Sequence, residues 1–505
     1  MRIAGRETPC LGQAQRDLLG TFLDTKGGDA RMTASLERQW THFSGRMLMI
    51  GFGCVAQGVL LLLLRHIAMR PGQITVLAPP ECDYSVAESC GVRVDKLAVT
   101  RSNLSSILPE RLEAGDFLLN LSVDVSCVDL MAWCQAHGVL YLDACTEPWT
   151  GGYLDASLPP EARTNHALRQ AALALRDGKR GSPTAVITHG VNPGLVSHFV
   201  KQALVNLGRD LLPGISVPRD QQGWASLAQR LGIRAIHIAE RDTQAPSQRK
   251  QVGEFVNTWS VEGLHGEACQ PAELGWGSHE RWLPACARLL DGANGAVWLN
   301  RPGGETRVRS WTPLEGSYHG FLITHSESLS IADYLTVRGS EGVSYRPTVL
   351  YAYYPCDDTV LSLHEAAGRN WHLQDRRRLL GADEIVSGMD ELGVLLLGHA
   401  RNAYWYGSRL TIEQTRKLCP FNNATSLQTA AGVLSGVVWA IENPNAGIVE
   451  PDDLPFRELM AIAGPYLGEM VGAYGDWTPL RDRCALFADD GRDDDPWQFV
   501  NMLLD

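Results

Sequence analysis

The chain has 505 residues, which at roughly 150 residues per domain predicts two to four domains and excludes a single small module. Apolar residues make up 45% and charged residues 20%, the composition of a compact globular protein rather than a disordered or fibrous one. Forty-five basic against 57 acidic side chains leave a net charge of −12, which disfavours nucleic-acid backbones and anionic membranes as partners and favours cationic small molecules.

Residues 1–40 are polar, carry Gly27 and Gly28 in tandem and show no sustained apolar period. They read as a flexible N-terminal extension, within which Met32 is an alternative start. No apolar stretch follows the basic residues at the N-terminus, so no secretory signal is expected. The longest apolar run, Val59 to Leu64, stops at Arg65, far short of the roughly 20 residues a membrane helix requires. Twelve cysteines are scattered with no C-x-x-C pair, a usage that fits a reducing compartment and offers no zinc site. These features predict a cytoplasmic protein with no membrane partner and no bound metal.

At residue 41 the texture changes. Met47 to Ile50 is an apolar run, followed by a glycine turn and a Leu-rich helix, and QITVLAPPE, FLLNLSVDVS and VLYLDACTEPW read as further strands. TAVITHGVNPGLVSHFVKQALVNL reads as a strand entering a helix with Pro193 near its first turn. Apolar strands alternating with helices predict an α/β fold whose first part, 41–190, is a Rossmann-type, doubly wound parallel sheet. Residues 191–420 are richer in Trp, Tyr and Gly, with short alternating runs such as RVRSW, FLITHS and TVLYAYY, and predict an α+β catalytic or substrate domain. From Asn423, ATSLQTAAGVLSGVVWAIE predicts a long helix ended by Asn443 and Pro444, opening a C-terminal helical segment, 421–505, whose packing partner, the first sheet or another surface, is left open.

The turn Gly51-Phe52-Gly53-Cys54-Val55-Ala56 is a G-x-G-x-x-A form of the dinucleotide fingerprint, with a strand before it and a helix after it. Gly51 permits the tight turn, Gly53 lets backbone N–H groups approach a pyrophosphate, Ala56 allows close contact of helix and sheet, and the helix N-terminus favours the anion. The cofactor expected is therefore a nicotinamide dinucleotide. The acidic residue usual about 20 positions on is replaced by Ala78, with Glu81 the nearest carboxylate and no Arg after that strand, so NAD and NADP stay open at this point.

Residues 237–327 interleave carboxylates with aromatics: Glu240 and Asp242; Trp259, Glu262 and Glu267; Glu273, Trp276, Glu280 and Trp282; His325 and Glu327. A diammonium ligand needs this chemistry, carboxylates for its charged ends and an aromatic face for a cation in a low-dielectric pocket. Spacing alone leaves each residue equally consistent with an ordinary surface carboxylate or core tryptophan. No H-E-x-x-H or G-x-S-x-G occurs. Of only six lysines, Lys201 is the one near the expected site, where a Schiff-base role and a structural one are both open.

In order along the chain stand RMLMIGFG, NLSVDVS, EPW, VNPGLVS, KQALVNL, HIAERDTQ, FVNTWSVEG, QPAELGWG, RVRSWTP, ELGVLL, NAYWYGS, NPNAGIVE and DPWQF. By these blocks the chain, from about Phe43 to its end, resembles the bacterial homospermidine synthases, relatives of the saccharopine dehydrogenase-like enzymes. The resemblance implies NAD as a recycled cofactor, putrescine and related diamines or polyamines as ligands, and a homodimer. It implies oxidation of one putrescine, loss of ammonia, condensation with a second and re-reduction to sym-homospermidine. It also implies that Trp259 is a cation–π tryptophan, that Asn192, Glu240 and Glu267 line an amine tunnel with Glu147 and Glu327 as further members, and that Asp124 lies near the cofactor junction. Which carboxylate serves as base is left open. Two other classes are a saccharopine-type or carboxynorspermidine-type NAD(P)-dependent dehydrogenase, which wants Arg or Lys for a substrate carboxylate, and a non-catalytic NAD- or polyamine-binding protein.

Overall fold

Four consecutive apolar residues, Met47–Ile50 (β1), are all buried because the strand lies inside a sheet covered on both faces. The computed structural model describes residues 36–176, 178, 181–290, 295–340, 342–481, 483 and 493–504; of the flexible extension expected over residues 1–40, residues 1–35 lie outside them, while Leu36 and Trp40 pack against the core and the Trp40 N–H donates to the His66 carbonyl at 2.8 Å. After β1 come the helix Cys54–His66 (α1), strands Ile74–Ala78 (β2), Arg93–Lys96 (β3) and Phe117–Asn120 (β4), the helix Cys127–His137 (α2), and strands Leu140–Asp143 (β5) and Ala185–Val186 (β6). They form a seven-stranded sheet in the order β6-β5-β4-β1-β2-β3, extended beyond β6 by the short strand Ile448–Val449 from far down the chain. Every pairing in it is parallel. The strand order reverses between β1 and β4, the place where doubly wound sheets bind ligands at their C-terminal edge.

The helix Leu195–Leu211 (α3) leads into the second half. Strands Ala235–Asp242 (β7), Pro271–Gly275 (β8), Ala296–Pro302 (β9), Arg307–Thr312 (β10), Gly316–Leu322 (β11), Thr348–Tyr354 (β12), Met389–His399 (β13), Asn402–Thr411 (β14) and Glu469–Gly475 (β15) belong to one 11-stranded sheet. Its central run is β9-β8-β12-β7-β13-β14-β15, and β11 pairs with β10 and β12. The β7–β12 pairing is parallel and that of β7 with β13 antiparallel, so the second half is the mixed α+β domain expected. All eight residues of β7 are buried, its charged ones included, which places Glu240 and Asp242 within protein rather than on a surface. Two helices border the site on this side, Val261–Cys269 (α4) and Ser326–Tyr334 (α5).

The long helix Ala424–Glu442 (α6) lies between the two sheets. Glycines on it remove the side chains that would hold it off the first domain: a Cβ on Gly432 would stand 2.0 Å from the Gly190 carbonyl oxygen, and one on Gly436 2.6 Å from Leu142. Towards the second sheet, Thr425 donates to Asp390 of β13 (2.7 Å) and Gln428 to Ser408 of β14 (2.8 Å). One apolar core accordingly runs through both domains, from Met49 and Leu60 to Val394 and Leu434. By length and composition α6 resembles a membrane span, but 83% of its apolar window is buried within the protein.

Just before α6, the loop is wedged against α1. A Cβ on Gly58 would lie 2.5 Å from Asn422 Oδ1, and Asn422 Nδ2 donates to the Cys54 carbonyl at 3.0 Å and to Ser426 Oγ at 3.0 Å. The closest approach of α1 to its neighbours thus falls at Gly58, two residues past the fingerprint Ala56. Gly58→Ala should destabilise the protein by about 1 to 3 kcal/mol through overpacking, against the gain of about 1 kcal/mol that helix propensity alone assigns to it. Urea unfolding decides between the two signs.

Candidate active site

A cavity of about 630 Å³ opens at the C-terminal edge of the parallel sheet. One wall is the glycine turn. Gly51 has φ +87° and its missing Cβ would meet the Leu121 carbonyl oxygen at 2.6 Å, so only glycine fits there. A Cβ on Gly53 would meet nothing within 4 Å, because that position faces the cavity. No side chain caps α1 and its first turn holds no acid, which leaves its N-terminal N–H groups to a bound anion. Cys54, Val55 and Ala56 complete this wall, and its shape and chemistry fit the pyrophosphate of a dinucleotide. Beyond Ala78, the Tyr84 hydroxyl holds the turn by donating to the Ala78 and Pro79 carbonyls (2.6 and 2.7 Å). Glu81, exposed, is the carboxylate on this side of the cavity.

The opposite wall is acidic. Glu240 points in from β7, and its Oε2 accepts from the Tyr351 hydroxyl of β12 (2.6 Å) and from Asn192 Nδ2 (3.2 Å). Burial raises the Glu240 pKa, aided by the nearby Asp242 charge and opposed by those two hydrogen bonds. Glu147, on the loop after β5, is anchored by backbone contacts to Cys127 at the start of α2. Its pKa is raised well above the ordinary range by burial, then by Glu267 and Asp124. Glu267 comes from α4 and lines the cavity. Trp259, half-buried, precedes α4 and lines the cavity as well. Gly263 leaves room for its ring: a Cβ there would lie 2.7 Å from Trp259 Cζ3.

His325 stands in the middle of this wall. Its Nε2 faces Glu267 Oε2 at 3.2 Å, and its Nδ1 faces Glu327 Oε1 (3.2 Å) and Asn192 Oδ1 (3.1 Å). With acceptors at both nitrogens the ring is a donor twice over, which requires the imidazolium. Burial opposes that charge, but Glu327 and Glu267 outweigh it and raise the His325 pKa well above its ordinary value. Glu327 Oε2 and Asp390 Oδ1 are buried without a protein partner. Neither residue is among those that line the cavity.

Asn192, Glu147, Glu240, Trp259 and Glu267 thus face one cavity together with Gly51, Gly53, Cys54, Val55 and Ala56. Two expected residues stand behind it: Glu327 contacts the cavity through His325, and Asp124, half-buried with φ 65°, lies beside Glu147 and Glu262. Lys201 is not at the site. Its ammonium donates to the Asp452 and Leu454 carbonyls (2.5 and 3.0 Å), where burial lowers its pKa to about 8, so the Schiff-base option is set aside. Glu273 accepts from the Asn165 and His166 N–H groups and from Thr324, Glu280 accepts from the Phe499 N–H, Trp276 packs on Phe499, and Trp282 is exposed.

Sequence reasoning did not assign roles to His325, Tyr351 or Arg377, all of which line the cavity. Arg377 lies in a run that reads as a solvated face, yet it pairs with Glu262 at 2.8 Å. His325 had one signal, its position two residues before Glu327. Among the described residues no cluster is placed to hold a metal ion, and the ten described cysteines are free thiols.

Comparison with known proteins agrees with this geometry. Residues 47–186 match the saccharopine dehydrogenase NADP binding domain and residues 190–476 the saccharopine dehydrogenase C-terminal domain. The chain is 53% identical to the homospermidine synthase of Blastochloris viridis over 468 residues, covering 92% of this chain and 98% of that protein. It is 48% identical to the homospermidine synthase of Mesorhizobium japonicum over 470 residues, covering 92% and 97%. The crystal structure of the homospermidine synthase from Legionella pneumophila in complex with NAD superposes with a TM-score of 0.85 at 44% identity, covering 92% of this chain and 98% of that one.

Two outcomes follow from the site as built. A carboxylate near the adenosine end repels a 2′-phosphate, so Glu81→Ala should reduce the preference for NAD over NADP several-fold in binding titrations; an unchanged ratio would move the discriminating group elsewhere. His325 binds its proton more tightly in the folded chain than in the unfolded one. Its stabilising contribution is therefore complete below the unfolded value of about 6.5 and is lost as pH rises through the higher folded value. The stability gap between the parent and His325→Asn, measured by urea unfolding across that window, should close as pH rises; a constant gap would mean that the ring is neutral.

Proposed function

The chain belongs to the homospermidine synthases of the saccharopine dehydrogenase-like family, and from that premise we propose that it converts two putrescine molecules to sym-homospermidine and ammonia without net oxidation or reduction. The observation that carries this is the sign of the amine wall. Glu147, Glu240, Glu262 and Glu267 line the cavity, and the one Arg or Lys among the lining residues, Arg377, is already paired with Glu262. A substrate carboxylate, as a saccharopine-type or carboxynorspermidine-type dehydrogenase would bind, meets the glutamates of this wall, while the two cationic groups there, Arg377 and His325, are already paired with carboxylates. A diammonium ion neutralises charges that are costly to bury alone.

On this reading residues 41–190 hold NAD, residues 191–420 hold the diamine, and the segment from 421 joins them. NAD, when bound, takes a hydride from the carbon next to one amine and returns it to the condensed imine. The protein's own part is proton handling and placement. The reacting amine must give up a proton before its carbon is oxidised, and Glu240, whose raised pKa makes its carboxylate a better base, takes it. Asn192 and Tyr351 hold that carboxyl in place. Glu267 binds the distal ammonium and keeps His325 charged, while the Trp259 face holds the cationic imine by cation–π attraction. Glu147 adds an acceptor for the second diamine, Glu327 acts through His325, and Asp124 tunes Glu147. The expected working form is a homodimer in the cytoplasm.

Incubation with putrescine and catalytic NAD tests the activity: homospermidine and ammonia are expected, whereas net NADH would indicate a dehydrogenase and no turnover a binding protein. Glu240→Gln and Glu267→Gln keep shape but lose an anion, and each should lower kcat/KM at least about tenfold with folding intact. Trp259→Leu should cost about 1 to 2 kcal/mol of transition-state stabilisation, a loss of about five- to thirtyfold, with Trp259→Phe intermediate. Full rates in the two glutamine variants at limiting putrescine would place the amine site elsewhere.

A further inference from the structure

The backbone that carries Trp259 is held by side chains rather than by a sheet or helix. Three consecutive carbonyls, those of Thr258, Trp259 and Ser260, each accept from a side chain of a different origin. Asn423 Nδ2 donates to Thr258 O at 2.5 Å, Cys54 Sγ to Trp259 O at 3.2 Å, and Asn257 Nδ2 to Ser260 O at 2.6 Å. Asn257 belongs to the strand that runs into this segment, so it fixes only local shape. Asn423 comes from the other side of the fold. Its Oδ1 accepts from the Ser426 N–H at 2.9 Å and caps α6, while its amide nitrogen also reaches the Leu380 carbonyl at 2.9 Å, next to the cavity-lining Leu379. The adjacent Asn422 holds the Cys54 carbonyl. The cap of the central helix, the first turn of the cofactor helix and the Trp259 backbone are thereby one hydrogen-bonded unit, and Asn423 is buried in it, 2% exposed.

We propose that Asn423 is a positioning residue for the reaction: it sets where the Trp259 ring stands against the glycine turn, a role that rests on Trp259 acting as the cation-holding wall. Cation–π attraction is confined to cations within about 6 Å of the ring centroid, so a small displacement of this backbone weakens it. Asn423→Asp separates the two functions of the residue. Aspartate caps a helix as well as asparagine does, but its carboxylate has no N–H for the two carbonyls; protonated, it regains one donor.

The test is a double-mutant cycle between position 423 and Trp259→Leu, read as kcat/KM for putrescine with saturating NAD. Asn423→Asp should lower kcat/KM about five- to tenfold in the parent and less than about twofold in Trp259→Leu, because the ring it places is already gone. The loss relative to the parent should shrink as pH falls and the new carboxyl takes up a proton. NAD affinity should fall less than kcat/KM does, since Asn422, which holds the Cys54 carbonyl of the cofactor helix, is unchanged. Asn423→Ser, which keeps a cap and lacks the amide reach, provides the same comparison if the aspartate fails to fold. An equal loss in both backgrounds, or none in the parent, overturns the positioning role. Full activity of Trp259→Leu by itself would overturn the role given to Trp259, and the positioning role with it.

Discussion

The site depends on how closely α6 sits between two sheets of different kinds. Glycines 432 and 436 let it touch the backbone at Gly190 and the side chain of Leu142, and Gly58 lets Asn422 wedge against α1. A methyl group at any of these positions would push the halves apart. Because they are not pushed apart, a glycine turn built for a pyrophosphate and a strand carrying Glu240 face a single cavity, close enough for chemistry at both ends of one small molecule. The shared core, continuous from Leu60 to Val394, makes that spacing a property of packing rather than of a flexible linker.

That rigid frame is what makes the acidic wall affordable. Carboxyl groups at Glu147, Glu240 and Asp390 are buried without an arginine or lysine against them, and burial raises all three pKa values. Such groups are costly in an ordinary core. Here His325, facing a carboxylate at each ring nitrogen, ties Glu267 and Glu327 into one network. The raised pKa of Glu240 is a consequence of that burial, and perturbed carboxyl groups of this kind gather at functional sites.

Much of this could be read from residues alone, for physical reasons that differ by element. The central strands of a parallel sheet are covered on both faces, so Met47–Ile50 and its neighbours announce themselves as apolar runs, and the glycine turn after β1 has few other uses. The α6 helix was equally visible, but a helix apolar on all sides does not say what lies on each side, and its role in joining the halves came only from Gly432, Gly436 and Thr425 in three dimensions. The blocks around Trp259, Glu240 and Glu267 showed residue types without geometry, and only the fold brings the three to one cavity. Glu273 and Glu280, in the same interleaved stretch, hold backbone N–H groups and do not line the cavity, because spacing along a chain does not reveal which face of a mixed sheet a carboxylate occupies. Arg377 and His325 received no role for the converse reason: an arginine run resembles a solvated face, and the sequence places only Glu327 beside His325, while the contact with Glu267 needs the fold.

On the proposed function, one cavity serves oxidation, condensation and reduction in turn, so that the reducing equivalent never leaves. Turnover of putrescine deuterated at both carbons bonded to nitrogen, in unlabelled water with catalytic NAD, measures this directly by mass spectrometry of the product. Homospermidine carrying its complete set of deuterons, the carbons at the new C–N bond included, is the result expected of a site that keeps both half-reactions together. Product in which a deuteron on the reacting carbon has been replaced by hydrogen would mean that the equivalent exchanges between the two steps, and would contradict the single-cavity account.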